Sequence, residues 1–537
     1  MDKLTRDVGR RLVDLVLIPL AMVWLAYEPN FAHGFIDYFE SGQYLSVINA
    51  IFHGKLPYKD LFVLFGPLHY WVPALAMLFF GKSIVVLRGF FLFGDVASLL
   101  VLYCLCRLFI RNRFFSTAAA LLIVIEAHHP FWCTRWGGIR FAFGYLSLLS
   151  LTLFCKKKTA RAMGWSGFFA SVGSLFSQDV GLFSYATAFL FFILYAFWRR
   201  PEERTEKPLT LLRIYGVGCA VVLIPFMAWL VASSSLGAYV DAIASLPSLR
   251  LWLQPWGASD LTPKVLYPAI LYVGCLGAAG YSLLRKGRLS DELMCLMVLC
   301  TYGILSYAAS FRAIRGPQFQ VLGLPIALLV TFYLLRRLYD VRKMAKTYRD
   351  ALLVVIVAGL VGSFASPKRY YENLSVWLYY QRVKQGVLPV YSGVIRKDGL
   401  TRPLNAQRGG QAALPLWQAD EVDFVVSYIL SHSSGGEPLF SFPELGLFNF
   451  LCDRPDVSRF TLVAYSWPKQ EWQKEQLELL KNKRPPIVLV LTRLSNLAAS
   501  IHHKEELLPD VLTYVRKNYV LKAQTQQIAI YGLPDRR

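Results

Sequence analysis

What this sequence lacks first is charge. Only 17% of its 537 residues are Asp, Glu, Lys or Arg, where a soluble globular chain carries roughly 25%. The deficit falls on residues 12–367. That stretch is a series of apolar runs of roughly 17–25 residues, the length that crosses a hydrocarbon core about 30 Å thick. A disulfide framework is missing as well. Of the nine cysteines, Cys104, Cys106, Cys155, Cys219, Cys275, Cys295 and Cys300 lie in or at the ends of apolar runs and read as small hydrophobes. Cys133 and Cys452 are left over, and Cys104-Leu105-Cys106 has no second pair, which argues against zinc. Lys3, Arg6, Arg10 and Arg11 precede Leu12–Tyr27 like the basic end of a signal peptide. Glu28-Pro29-Asn30 follows in place of a small-residue cleavage site, so the run reads as a retained helix. There is no internal repeat of the kind transporters carry, which weighs against a transporter or flippase.

What is present is a net charge of +22. In a soluble chain that would suggest nucleic acid. Here the excess sits in short loops between apolar runs, where membrane orientation needs it, and no nucleic-acid partner is expected. The runs fall near 12–27, 84–106, 114–128, 141–155, 164–177, 180–198, 214–235, 265–284, 289–309, 318–335 and 350–367. One further stretch, Leu61–Gly81, contains Gly66-Pro67, His69 and Pro73. Counting it as a span places basic loops outside; taking it as an interfacial or re-entrant segment restores the positive-inside pattern throughout. Segments 1–11, 107–113, 156–163, 199–213, 285–288 and 336–349 then hold 25 Lys and Arg, against 9 in the longer total length of the opposite loops. The expected fold is a mainly α polytopic membrane bundle of about eleven spans, with interfacial helices in the first outer loop. A small C-terminal α/β domain follows. The division is 1–367 for the transmembrane domain and 368–537 for the extracytoplasmic linker and small domain. The N-terminus is cytoplasmic and the C-terminal domain extracytoplasmic on this reading, in an inner or plasma membrane.

This orientation gathers the polar residues on one side. Asp37 and Glu40 follow the first run, and His128 and His129 the third, with Arg135 and Arg140 after them. Gln178 and Asp179 form a tight hairpin, and Arg312 and Arg315 follow the ninth run. Ionisable groups at a membrane boundary face a cavity or a partner, because the alternative is expensive. Residues 40–53 show the apolar periodicity of a helix lying in the interface plane. Asp37 and Glu40, three apart, share a face of it. Such a pair suits proton abstraction from a hydroxyl. The alternative is that Asp37 caps the helix and Glu40 is solvated.

At these residues a resemblance appears. Asp37-x-x-Glu40-x-Gly42, then Gly54-Lys55-Leu56-Pro57-Tyr58-Lys59-Asp60, then Gly66-Pro67-Leu68 resembles the first-loop signature of the GT-C superfamily of membrane glycosyltransferases. That superfamily includes protein O-mannosyltransferases and the lipid A aminoarabinose transferases. Gln178-Asp179-Val180-Gly181 resembles a second polar turn of its members. The resemblance implies a polyprenyl-phosphate sugar as donor, a glycan, lipid or protein acceptor, surrounding membrane lipid, and transfer with inversion at the outer face. It implies Asp37 or Glu40 as the catalytic base. Arg135, Arg140, Gln178, Asp179, Arg312, Arg315, Lys59, Asp60 and His69 become candidates for holding the donor phosphate or substrate. Arginine suits phosphate because its planar donors match the anion, although membrane anchoring is the plainer role for any one of them. Some members use a divalent metal; Asp37, Glu40 and Asp179 offer oxygens for one, and His128 and His129 nitrogens. No other cofactor is expected.

In the tail, 437–443, 486–492 and 527–532 are of strand length, and 419–433, 468–482 and 503–517 carry helical periodicity. The alternation reads as a small α/β domain without a nucleophile motif or phosphate loop. Residues 368–415 read as a linker and lid. A non-catalytic envelope-assembly protein is the remaining alternative, and it would have no need of the carboxylate pair.

Overall fold

The computed structural model describes residues 12–26, 36–127, 138–199, 205–249, 261–287, 290–311, 319–340, 347–348, 350–351, 353–355, 359, 401–492 and 507–534. They divide between two compact units. One comprises residues 1–29, 91–226 and 255–379, the other residues 30–90, 227–254 and 380–537.

The first unit is helical. A π-helical turn, Val13–Leu17, leads into α1 (Ile18–Ala26). The helices α4 (Ile84–Ile110), α5 (Arg113–Ala127), α6 (Ile139–Lys157), α7 (Ala160–Phe176) and α8 (Gln178–Trp198) follow the first-loop helices α2 (Tyr38–Phe52) and α3 (Leu68–Phe80). Then come α9 (Pro208–Ala232), α11 (Pro263–Lys286), α12 (Asp291–Ser310) and, after a second π-helical turn at Phe319–Gly323, α13 (Leu324–Tyr339). Local chemistry sets several ends. The Ser290 hydroxyl accepts from the Leu293 amide, and Asp291 and Glu292 sit in the first turn of α12, where the helix dipole favours anions. Pro263 opens α11 at a position that needs no amide proton. Ten of the eleven expected runs are therefore helices; the eleventh, 350–367, lies largely outside the described residues. Among the described residues seven helices have the length and apolarity to cross a membrane, while Val13–Ala26 is shorter.

The basic segments of this unit meet one another. Asp14 pairs with Arg107 at 2.7 Å and with Arg113 at 2.9 Å. Lys158 and Arg199 both pair with Asp291, and Arg337 with Glu292. The start of the first helix and the end of α4 are thus at the same end. The chain between them makes no net crossing, which fits the first run and α4 as a crossing pair with Leu61–Gly81 as an interfacial segment. Its helix, α3 (Leu68–Phe80), has 13 residues and is about 20 Å long at 1.5 Å per residue. That is short of the roughly 30 Å a span needs.

The second unit joins the first loop to the tail. It holds α2 (Tyr38–Phe52), α3, α10 (Leu236–Leu249) and the C-terminal elements. Strands β1 (Thr401–Pro403) and β2 (Ala413–Pro415) form an antiparallel ribbon before α14 (Leu416–His432). A four-stranded sheet follows in the order β3 (Leu439–Phe442), β4 (Ile487–Leu491), β6 (Ile528–Gly532), β5 (Val520–Gln524). The β3–β4 pair is parallel, with Leu439 opposite Ile487, and the other pairs are antiparallel. The apolar β4 sequence Ile-Val-Leu-Val-Leu is that of a strand covered on both faces. Helix α16 (Gln470–Lys483) buries Trp472, Gln476 and Leu480, spaced by one turn each, and α17 (Pro509–Asn518) buries Val511, Leu512 and Val515. Of these, Leu480, Val511, Leu512 and Val515 join Phe440, Val488 and Ala529 in the core. A short helix, α15 (Leu447–Leu451), packs on α2. The three expected strands and three expected helices are present. Strand β5 escaped the sequence reading because it is an exposed edge carrying Lys522.

One close helix contact in the first unit depends on glycine. A Cβ at Gly218 in α9 would stand 2.0 Å from the Gly164 carbonyl oxygen of α7, whereas Gly216, two residues earlier, has open space around it. Gly218→Leu is expected to cost about 1–3 kcal/mol of stability through overpacking. Gly216→Leu is expected to cost little. Thermal unfolding of the two purified variants, followed by tryptophan fluorescence, checks the contrast.

Candidate functional site

The two candidate carboxylates sit at the start of α2, and the helix itself explains their positions. Asp37 is its N-cap, with extended backbone. Its Oδ1 accepts from the Phe39 amide at 2.9 Å and the Glu40 amide at 3.1 Å. Both are donors the first helical turn leaves unpaired. Among the described residues, no hydrogen bond reaches the other oxygen, Oδ2. Glu40, half-buried, accepts from Gln43 Nε2 at 2.6 Å. Gln43 Oε1 in turn accepts from the Tyr465 hydroxyl at 2.7 Å. Asp37 caps the helix, which engages one of its two oxygens. Glu40 meets one end of an amide whose other end is held by Tyr465, and is not merely solvated.

The polar face of α2 differs from the expectation of a helix lying in the interface. Ser41, Gln43, Ser46 and Asn49 are all buried. Ser46 Oγ donates to Thr461 at 2.9 Å, and Asn49 Nδ2 to the Arg454 carbonyl at 3.0 Å. Arg408 donates to Asn49 Oδ1 at 2.8 Å and pairs with Asp453 at 2.6 Å. The face that reads as water-facing in the sequence meets the tail domain. Gly42, the last residue of the acidic motif, explains itself here, because a Cβ there would come within 3.0 Å of the Glu444 carbonyl oxygen.

The rest of the first loop supports this turn. Asp60 closes the Leu56–Asp60 loop by accepting from the Leu56 amide at 2.9 Å while its own amide donates to the Leu56 carbonyl at 2.9 Å. Lys59 is exposed beside it. His69 is buried among aromatic rings, 4.6 Å from Phe65, 5.1 Å from Tyr44 and 5.6 Å from Tyr70, centroid to centroid.

In the helical unit, Ser177 alone separates α7 from α8, and Gln178 and Asp179 begin α8. Asp179 Oδ1 accepts from the Ser177 hydroxyl and, at 2.8 Å, from the Val180 amide. The buried Arg140 of α6 donates to the same Ser177 hydroxyl at 3.4 Å and stacks over Phe141. Residues distant in sequence, Arg140 and Asp179, are thus joined through one serine. His128, His129, Arg135, Arg312 and Arg315 lie outside the described residues. Among the described residues, no three side chains of metal-ligand type come together. Several buried acids went unread in the sequence, Asp95 and Glu444 among them. Asp95 lies inside the apolar helix α4, and Glu444 lies beside the Tyr465 hydroxyl. A single carboxylate within a 27-residue apolar helix was a readable signal for the first; the second had none.

No protein-family model matches the sequence, and no curated protein matches it either. Solved structures do match. The chain is similar to ArnT from Cupriavidus metallidurans bound to undecaprenyl phosphate, at 13% identity and a TM-score of 0.51, over 96% of this chain and 97% of that one. It is also similar to the Archaeoglobus fulgidus oligosaccharyltransferase tethered to an acceptor peptide, at 12% identity and a TM-score of 0.50, over 98% and 74%. The likeness is one of fold.

The contact between first loop and tail contains one titratable weak point. Asp456 is buried, and burial pushes its carboxyl up from 3.8 to about 8, with the Lys55 and Lys483 ammonium groups pulling it back only in part. In the folded chain this acid holds its proton at pH values where the unfolded chain has released it. The stability it contributes is therefore complete below pH 3.8 and is lost as pH rises towards about 8. Asp456→Asn keeps the neutral form at every pH. The variant is expected to melt at a higher temperature than the parent at pH 8, with the gap closing at pH 4. Unfolding scans of both proteins across that range give the measurement.

Proposed function

We propose that this chain is an integral membrane glycosyltransferase that moves a sugar from a polyprenyl-phosphate donor to a hydroxyl of an envelope glycan, lipid or protein. One observation carries the reading: a half-buried carboxylate pair, fixed at the head of α2 within a GT-C fold. The undecaprenyl phosphate bound to ArnT, and the acceptor peptide tethered to the archaeal enzyme, support the donor and acceptor classes.

The chemistry follows from the groups present. Asp37 or Glu40 takes the acceptor proton as its oxygen attacks the anomeric carbon from the side opposite the phosphate, so the configuration inverts. Asp37 Oδ2 is the more available oxygen, and Glu40 is the better oriented carboxylate. The leaving group is a phosphate monoester whose growing charge needs cations. Arg140 is a candidate, with Arg135, Arg312 and Arg315, because a guanidinium meets phosphate oxygens two at a time. The carboxylates complete the base step without a metal; a divalent ion held by Asp37, Glu40 or Asp179 would add charge at the phosphate. The site opens on the outer face on this reading, because the basic ends of the helical unit belong on the cytoplasmic side.

General-base catalysis contributes about 10²–10⁴-fold, so at least one of Asp37→Asn and Glu40→Gln should slow transfer by that much without loss of folding. The assay is release of polyprenyl phosphate by purified protein; if both variants remain fully active, neither carboxylate is the base. A reporter active only outside the cytoplasm, fused after residue 375, is expected to give signal; silence there reverses the orientation.

A further inference from the structure

The acidic turn is gripped from the tail at three successive points. The side-chain amide of Gln418, in α14, makes a two-way pair with the backbone of Ile36, accepting from its N–H at 2.8 Å and donating to its C=O at 2.7 Å. This is the pairing a neighbouring strand would provide, made by one side chain, immediately before Asp37. Next, the Tyr38 hydroxyl donates to Glu421 Oε2 at 2.9 Å. Glu421 is itself fixed, its Oε1 accepting from Thr525 Oγ1 at 2.6 Å and the Gln527 amide at 2.8 Å, both in the β5–β6 turn of the tail. Last, the Tyr465 hydroxyl orients the Gln43 amide so that its NH₂ end points at Glu40. Gln418, Tyr38, Gln43 and Tyr465 are all buried. Burial and the neighbouring Glu421 push the Tyr38 hydroxyl well above its usual range, so it remains a donor.

We infer that the tail domain is a clamp on the catalytic turn, with Gln418 and Tyr465 as positioning residues: Gln418 sets the backbone at Asp37, and Tyr465 sets the donor that orients Glu40. The inference rests on the glycosyltransferase reading for its effect on rate, and on geometry alone for its effect on the turn. It gives the tail a part in the reaction without a catalytic group of its own. An amide can serve two partners only while both its ends are engaged. With the Tyr465 hydroxyl gone, the Gln43 amide keeps its bond to Glu40 but loses the anchor at its oxygen end, so donor and carboxylate can shift together out of place. A carboxylate that loses an oriented donor holds its proton more tightly, and a misplaced base loses rate far more readily than affinity.

The clamp is tested first without any substrate, by hydrogen–deuterium exchange of the full-length protein in detergent. Gln418→Leu and Tyr465→Phe are expected to speed exchange in the peptide covering residues 36–43 by about tenfold or more, with the tail sheet unchanged. Gln418→Glu, which keeps the acceptor for Ile36 but loses the donor, should fall between Gln418→Leu and the parent. Ser46→Ala removes a different tail contact of the same helix and should leave the turn as it was. Tyr465→Phe keeps the ring and its packing, so it decides the matter if Gln418→Leu loosens the whole domain. Unchanged exchange at 36–43 in both Gln418→Glu and Tyr465→Phe overturns the clamp.

The second measurement is turnover of undecaprenyl-phosphate sugars. Tyr465→Phe is expected to lower kcat by about tenfold while KM stays within about twofold, and to move the acid limb of kcat/KM to higher pH. Unaltered kcat and pH profile with a loosened turn overturn the positioning role. A parent protein that turns over no such donor refutes the glycosyltransferase reading instead, and the exchange result still decides the clamp.

Discussion

Buried polar groups must find partners, and helix α2 is where this requirement shapes the molecule. A row of serine, glutamine and asparagine side chains runs along a helix that is enclosed over most of its length. Left unpaired, each would cost roughly 1–3 kcal/mol. The tail answers them one by one, with Thr461, Tyr465, Arg408 and the Arg454 carbonyl. Residues about four hundred positions apart in the chain therefore fold as one body. Apolar contacts alone would permit the tail to slide along the helix. Hydrogen bonds between specific buried atoms do not, because each displaced pair leaves two unsatisfied groups.

Much of this was legible in the sequence, for physical reasons that also mark the limit. Membrane helices need a length and an apolarity that few other segments share, and ten runs were readable as helices on that basis. The strands of the tail were readable where they are buried, as in Ile487–Leu491, and unreadable where they form an exposed edge, as in Val520–Gln524. The acidic turn was readable as a cap because Asp37 stands directly before a helical periodicity. The environment of α2 was not. Amphipathic periodicity reports that two faces differ and is silent on whether the polar one meets water or another polar surface. Glu444 shows the same limit: its burial depends on Tyr465 and the helix beside it, neither of which is near it in period or motif.

Charge behaved differently from polarity. The basic loops were counted as a bias, one side against the other, and in the helical unit that bias resolves into discrete pairs. Asp14 meets Arg107 and Arg113, and Asp291 meets Lys158 and Arg199. Most of these pairs are partly exposed, and exposed pairs contribute only about 0–1 kcal/mol each. Their value to the fold is register more than stability. A carboxylate shared by two cations from different loops, as Asp291 is, fixes which helix ends adjoin. The Asp14–Arg107 pair fits Leu61–Gly81 as an interfacial segment, which hydropathy alone leaves open.

The two levels meet at Asp37. A base, as Asp37 is proposed to be, must be held in place, and a carboxylate on a connecting loop is held only if another part of the chain braces it. The tail supplies that bracing within the second unit. Gln418, Glu421 and Tyr465 reach the turn from its tail-facing side. The first oxygen of Asp37 is committed to the helix, and the second is the one the proposed base step would use. A free loop would spread that second oxygen over several ångströms, and general-base catalysis requires hydrogen-bond reach of the acceptor hydroxyl, within about 2.6–3.2 Å. On the proposed reading, the demand for precision in a base thus accounts for a tail domain that carries no catalytic motif and yet holds, through Gln418, Glu421 and Tyr465, the turn that would supply the base.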